Sequence, residues 1–520
     1  MNINKKKFSG IIIAILILTM LIPELAYADN VPYVTYNFDY WDNVVYTPAA
    51  YVPDGSISGE SLGLSHKIGE VHDFYVDPES DLIAISDKMC NSIYIVDATS
   101  YKLLYELKDF FNTETGEYDN FLDPLGVCIS EVSKVAAGGE EGEEEVTEHL
   151  RQLFVCDQSH TRIVYFDVIG EKDSLEIEYA GHIDNTMFNS EILGEGYIFK
   201  PIRVCVDSAD KLYVINQDEF QGILQLEKDG SFNGYFGTIN VNVSLWQKIW
   251  KTLSTQEQKK KQTLFIPTEY TGIDIDDKGF LFASYTDTTG TQAVMRLNSK
   301  GGDVIRKGAN QNLSGDVMKV ASTANMYSGF SKIIDVCYNS KGMYSMIDKT
   351  RGRIFTYDTE GNLLYIYGGV GSLDGTFTSA RSIESNKEQR LVCDVTKNEI
   401  QIFSPTQYGS LINEAVSYRY DGDEAMAVAT WQKVLQLNEN FEQAYIGIGK
   451  AYLNSGEYKK AMDYLSLGMS RSYYSIAYKR YRNNVIKSHF NLIFGVILVL
   501  LVAFIVTRLI KKSKAGKYDD

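Results

Sequence analysis

The chain has 520 residues, of which 44% are hydrophobic, and its formal net charge is −18 at pH 7. This acidic balance argues against nucleic-acid binding, because contacts with phosphate groups need basic patches. The stretch between two strongly apolar segments, residues 29–489, is long enough for two or three domains.

The first apolar segment has the order of a secretory signal peptide. Three lysines precede an apolar run at residues 11–22, and residues 26–28 read Ala-Tyr-Ala, which is typical of a cleavage site. We therefore expect residues 1–28 to be removed on export. An uncleaved N-terminal anchor is the alternative, and Pro23 and the cleavage site argue against it.

The second apolar segment, residues 490–510, contains no Asp, Glu or Lys. About twenty apolar residues in a helix cross the ~30 Å hydrocarbon core of a membrane. A buried core helix is the alternative, but such helices are normally apolar on one face only. The signal peptide and the lysines of the short tail, residues 511–520, predict a large extracellular part and a cytoplasmic C-terminus.

The cysteines occupy repeated positions. Cys128, Cys205 and Cys337 have the same place in a repeated strand, and Cys156 and Cys393 share another place before an Asp. Cysteines at equivalent sites of different repeats are typical of small buried apolar residues. We therefore expect no structural disulfides.

One strand–turn–strand pattern recurs six times between residues 71 and 408. In each copy an apolar strand is followed by a polar turn, and most second strands end in Asp or Asn. Period-2 strands at repeated spacing predict a mainly β fold, a six-bladed β-propeller. Residues 29–70 would supply a closing outer strand. The copies lie at residues 74–97, 126–167, 203–226, 272–285, 334–358 and 391–403.

The repeat resembles the NHL repeat, in which the second strand ends in Asp and the third begins with Arg-Ile. Residues 157–167 and 348–358 match it best. The fourth copy departs from it, since Tyr285 stands where Asp is usual.

Two insertions interrupt the repeats. Residues 131–149 carry six Glu between positions 140 and 148 and predict a solvated acidic loop. Residues 238–269 predict a helical insertion in which Trp246 and Trp250 share one helix face. Those tryptophans either pack against the propeller or form a docking surface for a partner or for lipid headgroups.

A helical pattern replaces the strand pattern in residues 409–489. Gly422 recurs as Gly456 and Ala427 recurs as Ala461, with a spacing of 456 − 422 = 34 in both cases. This spacing and the placement of Gly, Ala and Tyr resemble the tetratricopeptide repeat. The resemblance implies about two repeats that bind a protein or peptide on a concave face.

The sequence offers no specific catalytic motif, so we expect no catalytic residue, no metal ligand and no cofactor. The side chains that end the second strands could ring one mouth of the propeller and bind a cation or a polar ligand. The alternative is structural, because Asp and Asn cap such turns through their own side chains. These candidates are Asp87, Asp157, Asn216, Asp348 and Asp394.

The whole arrangement resembles exported NHL-propeller and tetratricopeptide proteins of Gram-positive bacteria, whose genes tend to accompany sugar ABC transporters. The resemblance concerns the architecture, and from it our first hypothesis is a non-catalytic, membrane-anchored extracellular scaffold or receptor with a protein partner, such as a sugar ABC transporter. A propeller hydrolase or lyase is the alternative, because lactonases of this fold hold a metal between carboxylates and Asn in the central channel.

Overall fold

The computed structural model describes residues 31–135, 147–188, 193, 196–238, 269–285, 293–307, 313–317 and 331–515. The chain divides into two compact units, Met1–Ser410 and Leu411–Asp520. The predicted signal peptide lies outside the described residues, and so do Trp246 and Trp250.

The first unit is built from antiparallel strands. Their bounds in chain order are β1 (Tyr36–Phe38), β2 (Val44–Tyr46), β3 (Tyr51–Ser58), β4 (Val71–Asp77), β5 (Leu82–Asp87), β6 (Ser92–Asp97), β7 (Leu103–Leu107), β8 (Asp109–Asn112), β9 (Glu117–Asn120), β10 (Pro124–Val135), β11 (Thr147–Asp157), β12 (Arg162–Ile169), β13 (Glu176–Asp184), β14 (Pro201–Val206), β15 (Leu212–Asn216), β16 (Ile223–Leu226), β17 (Phe232–Phe236), β18 (Tyr270–Ile275), β19 (Leu281–Tyr285), β20 (Val294–Leu297), β21 (Ile333–Ser340), β22 (Met343–Asp348), β23 (Arg353–Tyr357), β24 (Leu363–Tyr367), β25 (Ala380–Asn386), β26 (Gln389–Asp394) and β27 (Glu399–Pro405).

These strands form the six blades that the repeats predict. The sheets are β4–β7, β10–β13, β14–β17, β18–β20, β21–β24, and β25–β27 with β3 as its outer strand; we number the blades 1 to 6 in this order. The first strand of each blade contacts the first strands of both neighbouring blades. The inner strands therefore close a ring around a central axis.

The second strand of a blade is apolar at consecutive positions because both of its faces are covered. In β5, Ile83 and Ile85 pack with residues of blade 6, and Leu82 and Ala84 pack with residues of blade 2. All four side chains are at most 3% exposed. A blade thus cannot bury its own faces alone, and neighbouring blades stabilise each other.

The segment before the first blade has two roles. Strand β3 pairs with β27, with Ile57 opposite Ile400, and so joins the two ends of the propeller chain. The hairpin β1–β2 instead packs on blade 5, where Asn37 Nδ2 donates a hydrogen bond to the Leu364 carbonyl at 3.0 Å. Only part of residues 29–70 therefore closes the ring.

The predicted acidic loop at residues 131–149 is shorter than the sequence suggested. Strands β10 and β11 continue through it, with Glu131 opposite Arg151 and Val135 opposite Thr147. Val132 is buried on the inner face of this long hairpin, so apolar alternation continues beneath the glutamates. The remaining part of the predicted loop, residues 136–146, lies outside the described residues.

Six helices follow the propeller within the described residues. Their bounds are α1 (Gln407–Tyr420), α2 (Glu424–Leu437), α3 (Glu442–Asn454), α4 (Tyr458–Leu467), α5 (Arg471–Ser488) and α6 (Phe490–Ala515).

Helices α2, α3 and α4 pack closely because small residues lie between them. A Cβ on Gly447 would come within 2.4 Å of Trp431 Nε1, and one on Gly449 within 2.5 Å of Leu465 Cγ. Gly422 and Gly456, both at positive φ, turn the chain between α1 and α2 and between α3 and α4, respectively. The sequence repeat of 34 residues thus coincides with a repeated helix pair.

Helix α6 contains an apolar stretch, Phe490–Lys512, of 23 residues with a mean hydropathy of 2.9, and none of it is buried. At a rise of about 1.5 Å per residue, this stretch is long enough to cross the ~30 Å hydrocarbon core of a bilayer. It is the one described helix long and apolar enough to be a membrane span.

Candidate functional site

The inner strands all run in one direction along the axis, so the two ends of the propeller differ. We call the end where these strands begin the upper mouth, and the end where they finish the lower mouth. The five strand-end side chains predicted as candidates lie at the upper mouth, each paired across its sheet with the beginning of an inner strand. They are Asp87, Asp157, Asn216, Asp348 and Asp394.

Each of these side chains accepts a hydrogen bond from a backbone N–H just before the inner strand of its own blade. Asp87 accepts from Gly69 at 2.7 Å and from Glu70 at 3.0 Å. The side chains are at most 5% exposed. Their shared contact fastens the segment that enters the blade to the end of the second strand. The corresponding pairs are Leu122 with Asp157, Lys200 with Asn216, Lys332 with Asp348, and Ser379 with Asp394.

An ion network crosses the axis below the upper mouth. Arg203 of blade 3 forms ion pairs with Asp73 of blade 1 and with Asp335 of blade 5. The two carboxylates also accept backbone N–H groups of other blades: Val127 donates to Asp73 at 3.2 Å and Ile383 donates to Asp335 at 3.0 Å. This network links blades 1, 2, 3, 5 and 6, and its three charged side chains are at most 7% exposed.

Two further carboxyl groups lie nearer the lower mouth. Asp274 of blade 4 accepts the Tyr338 N–H of blade 5 at 2.6 Å. Burial, with a smaller effect from the Asp335 charge, raises the pKa of Asp274 to about 7. Burial and the charges of Asp274 and Asp335 raise the pKa of Glu384 well above its ordinary value. Both carboxyl groups therefore favour the protonated form more than an exposed Asp or Glu does.

The upper mouth also holds a group of positively charged and imidazole side chains, which we call the cationic cluster: His72, Lys88 and Arg381. His72 is only 8% exposed, and its Nδ1 has no hydrogen-bond partner among the described residues. Burial and the charges of Arg381, Arg203 and Lys88 lower the pKa of His72 well below its ordinary value. His72 is therefore a neutral imidazole beside several cations.

At the lower mouth, acidic rather than basic side chains predominate. A cavity of about 380 Å³ opens there, between the extended hairpin β10–β11 and turns of blades 1 and 3. Its lining includes Tyr75, Asp77, Glu79, Glu131 and Asp210. Asp77 is already paired with Arg151 at 2.8 Å, and Asp210 accepts the Ser133 N–H at 3.2 Å.

Among the described residues, no three His, Cys, Asp or Glu side chains are grouped so that they could hold a metal ion. All six cysteines are free thiols, and five of them are buried. Burial raises the pKa of the Cys128 and Cys156 thiols, which lie in the packing between blades.

No protein-family model and no curated protein sequence matches this chain. Among solved structures, the chain is similar to a streptogramin B lyase at 9% identity, with a TM-score of 0.36 over 68% of this chain and 97% of that chain. A putative gluconolactonase gives 11% identity and a TM-score of 0.34, over 69% and 94% of the two chains. The allergen Mala s 1 of Malassezia sympodialis gives 10% and 0.38, over 68% and 96%. Identities of this size say nothing about activity.

The five candidates end the second strands of their blades, whereas the charged side chains on the axis were not among the predicted residues. One signal was present: several inner strands carry a charged residue within an apolar run, as in Ile-Arg-Val around Arg203 and Ile-Asp-Val around Asp335. Because the first strand of a blade lies on the axis, such residues had to meet there. Closure of the ring then places β25 of blade 6 against β4 of blade 1, and Arg381 and His72, although far apart in the sequence, are each the second residue of these strands.

Proposed function

We propose that this chain is a non-catalytic, membrane-anchored binding protein whose propeller and helical unit lie outside the cell. The propeller binds a ligand or partner at its upper mouth. The helices α1–α5, as a short tetratricopeptide-like module, hold a protein partner, for which the resemblance of the sequence suggests a sugar ABC transporter. Helix α6 anchors the chain.

The observation that carries this proposal is that the strand-end carboxylates already accept hydrogen bonds from the backbone of their own blades. Asp394, for example, accepts hydrogen bonds from four backbone N–H groups. Three of these donors lie on Oδ1 and one on Oδ2, and Asp394 has no exposed surface, so little acceptor capacity is left for a metal ion; displacing a buried donor would cost about 1–3 kcal/mol. These groups are thus better suited to holding blades in place than to lactonase-like chemistry.

The test uses full-length protein isolated gently from native membranes, with mass spectrometry of what accompanies it. We expect stoichiometric transporter subunits or a solute-binding protein, and we expect their loss when residues 411–470 are deleted. A variant with the same helices but an altered propeller, Arg381→Gln, is the matched control and should keep the helical partner. Recovery of the chain alone would overturn the scaffold proposal.

Anchoring and orientation have their own test. The full chain should remain in membranes during alkaline carbonate extraction, whereas a chain ending at residue 487 should be released. Protease added to intact cells should release a propeller fragment. Protection of the propeller in intact cells would refute the extracellular placement.

A propeller hydrolase or lyase is the second candidate, and the carboxyl pair Asp274 and Glu384 favours it. Carboxyl groups whose pKa values are raised by burial can serve as general acids and bases near neutral pH. In that case a divalent ion of the lactonase type would survive dialysis and leave on chelation, so metal content before and after chelation separates the two candidates.

A further inference from the structure

The cationic cluster at the upper mouth is unusual because its side chains have no hydrogen-bond or ion-pair partner within the described residues. Arg381 and Lys88 are both half-buried, yet within the described part of the chain no hydrogen bond or ion pair is found for the Arg381 guanidinium or the Lys88 ammonium. The Arg203 guanidinium, one layer deeper, shows the ordinary behaviour of a buried arginine, with carboxylates on both sides.

The electrostatics of the cluster are unfavourable as they stand. Burial and the charge of Arg203 lower the pKa of Arg381, because the two guanidinium groups repel each other. Glu70 is the carboxylate whose charge acts on Arg381, although no ion pair between the two is found within the described residues. A partly desolvated group of cations in a chain of net charge −18 is stabilised most directly by an anion.

The chemistry of the donors fits an oxyanion. A guanidinium presents a planar set of N–H donors that matches carboxylate or phosphate oxygens, and a lysine ammonium adds a compact positive charge. His72 adds a second kind of donor, since the neutral imidazole carries one N–H and its Nδ1 is unpartnered and buried. The segment around the cluster is fixed, because Asp87 binds the N–H of Glu70, and Lys88 N–H donates to the Glu70 carbonyl at 2.9 Å.

We propose that the upper mouth of the propeller is a binding site for an oxyanion, the carboxylate or phosphate group of a small molecule, held by Arg381, Lys88 and His72. This inference rests on the proposed binding function and gives it a ligand class. The strand-end carboxylates hold the site in shape and take no part in contacting the anion.

The experiment is calorimetric titration of the purified full-length chain in neutral detergent with inorganic phosphate and, separately, with succinate. Binding of either probe supports the site, and the stronger probe distinguishes a phosphate ligand from a carboxylate ligand. Each of Arg381→Gln and Lys88→Gln should weaken binding about 10- to 100-fold, as expected for one charge-assisted hydrogen bond. Lys102→Gln, which removes an exposed lysine from a turn of blade 1, should leave affinity unchanged.

A variant that is expected to bind more tightly separates an effect on the site from loss of binding through misfolding. Glu70→Gln removes the acidic charge that competes with the anion, and it should strengthen binding severalfold. Absence of phosphate and succinate binding in the native chain, or equal binding by the Arg381→Gln and Lys88→Gln variants, would overturn the proposal. The recovery of protein partners from membranes does not depend on anion binding. The two experiments can therefore refute the ligand class and the scaffold function independently.

Discussion

Arg203 forms an ion pair with Asp73 across the propeller axis, although the two residues belong to blades that are not neighbours. The same guanidinium reaches Asp335 of blade 5, so one side chain is the counter-charge shared by two buried carboxylates. Its replacement would leave both carboxylates without a counter-charge.

We therefore expect Arg203→Leu to lower the free energy of unfolding by about 3–5 kcal/mol, the usual effect of breaking a buried ion pair. Arg203→Lys should cost less, because the charge remains but a single ammonium cannot reach both carboxylates. Denaturant unfolding followed by tyrosine and tryptophan fluorescence measures both values. Adding Asp73→Asn and Asp335→Asn to the leucine variant should restore part of the loss; no restoration would mean that packing, rather than charge, is responsible.

Glycine is required where an inner strand passes the ion network. A Cβ on Gly272 would lie 2.0 Å from Asp335 Oδ1 and 2.9 Å from its Cα. We expect Gly272→Ala to destabilise the propeller by about 1–3 kcal/mol through overpacking. Gly302→Ala is the control, since its Cβ would meet nothing closer than 3.4 Å. Equal thermal midpoints for the two variants would contradict this account.

Two substitutions of the strand-end residue Asp394 should lower the free energy of unfolding by different amounts. Asp394→Ala leaves four backbone N–H groups without their acceptor, and we expect a loss of about 1–3 kcal/mol or more. Asp394→Asn keeps one carbonyl oxygen and should cost less, because Asn216 already occupies the equivalent place in blade 3. The comparison of both variants by chemical unfolding checks this order, and a larger loss for Asn than for Ala would refute it.

Stability should depend on the ionisation of Asp274. Its pKa is about 7 in the folded chain and 3.8 in the absence of the fold, so the folded state holds a proton that the unfolded state releases between those values. Stability contributed by this proton is present at low pH and is lost as pH rises towards 7.

Asp274→Asn should remove that dependence while keeping an oxygen that accepts the Tyr338 N–H. We expect the variant to be more stable than the native chain at pH 8 and to lose this advantage near pH 4. Thermal midpoints across this pH range provide the measurement. Parallel curves for the two proteins would show that Asp274 does not hold a proton in the folded state. Glu384→Gln should act in the same direction, because its pKa is raised as well.

The thiols should be distinguishable by reactivity. Burial raises the pKa of Cys156 and Cys393, and alkylation requires an exposed thiolate. In the native chain we expect iodoacetamide to modify at most Cys90, which is partly exposed, and we expect six modified residues after unfolding without reductant. Mass spectrometry gives the count, and fewer than six after unfolding would reveal a disulfide.

The blades could be predicted because each copy carries its own turn residues and apolar strands, from Asp87 to Asp394. The cationic cluster could not, because it depends on which blades meet when the ring closes. His72 and Arg381 come from opposite ends of the propeller sequence, and nothing in either local pattern relates them. The hairpin at Glu131 was missed for a different reason: its glutamates concealed the strand alternation that Val132 continues.

The pairing of β3 with β27 also constrains how the chain can be made. Thr406 Oγ1 donates a hydrogen bond to the Ala49 carbonyl at 2.6 Å, although the two residues are 357 positions apart. On the ribosome, β3 emerges early and has no partner until the last strand of the final blade is complete. Closing so long a loop is entropically costly and slow. A chain that ends anywhere before residue 399 leaves the ring open, and a rearranged gene that encodes β3 directly after β27 should yield a faster-folding propeller.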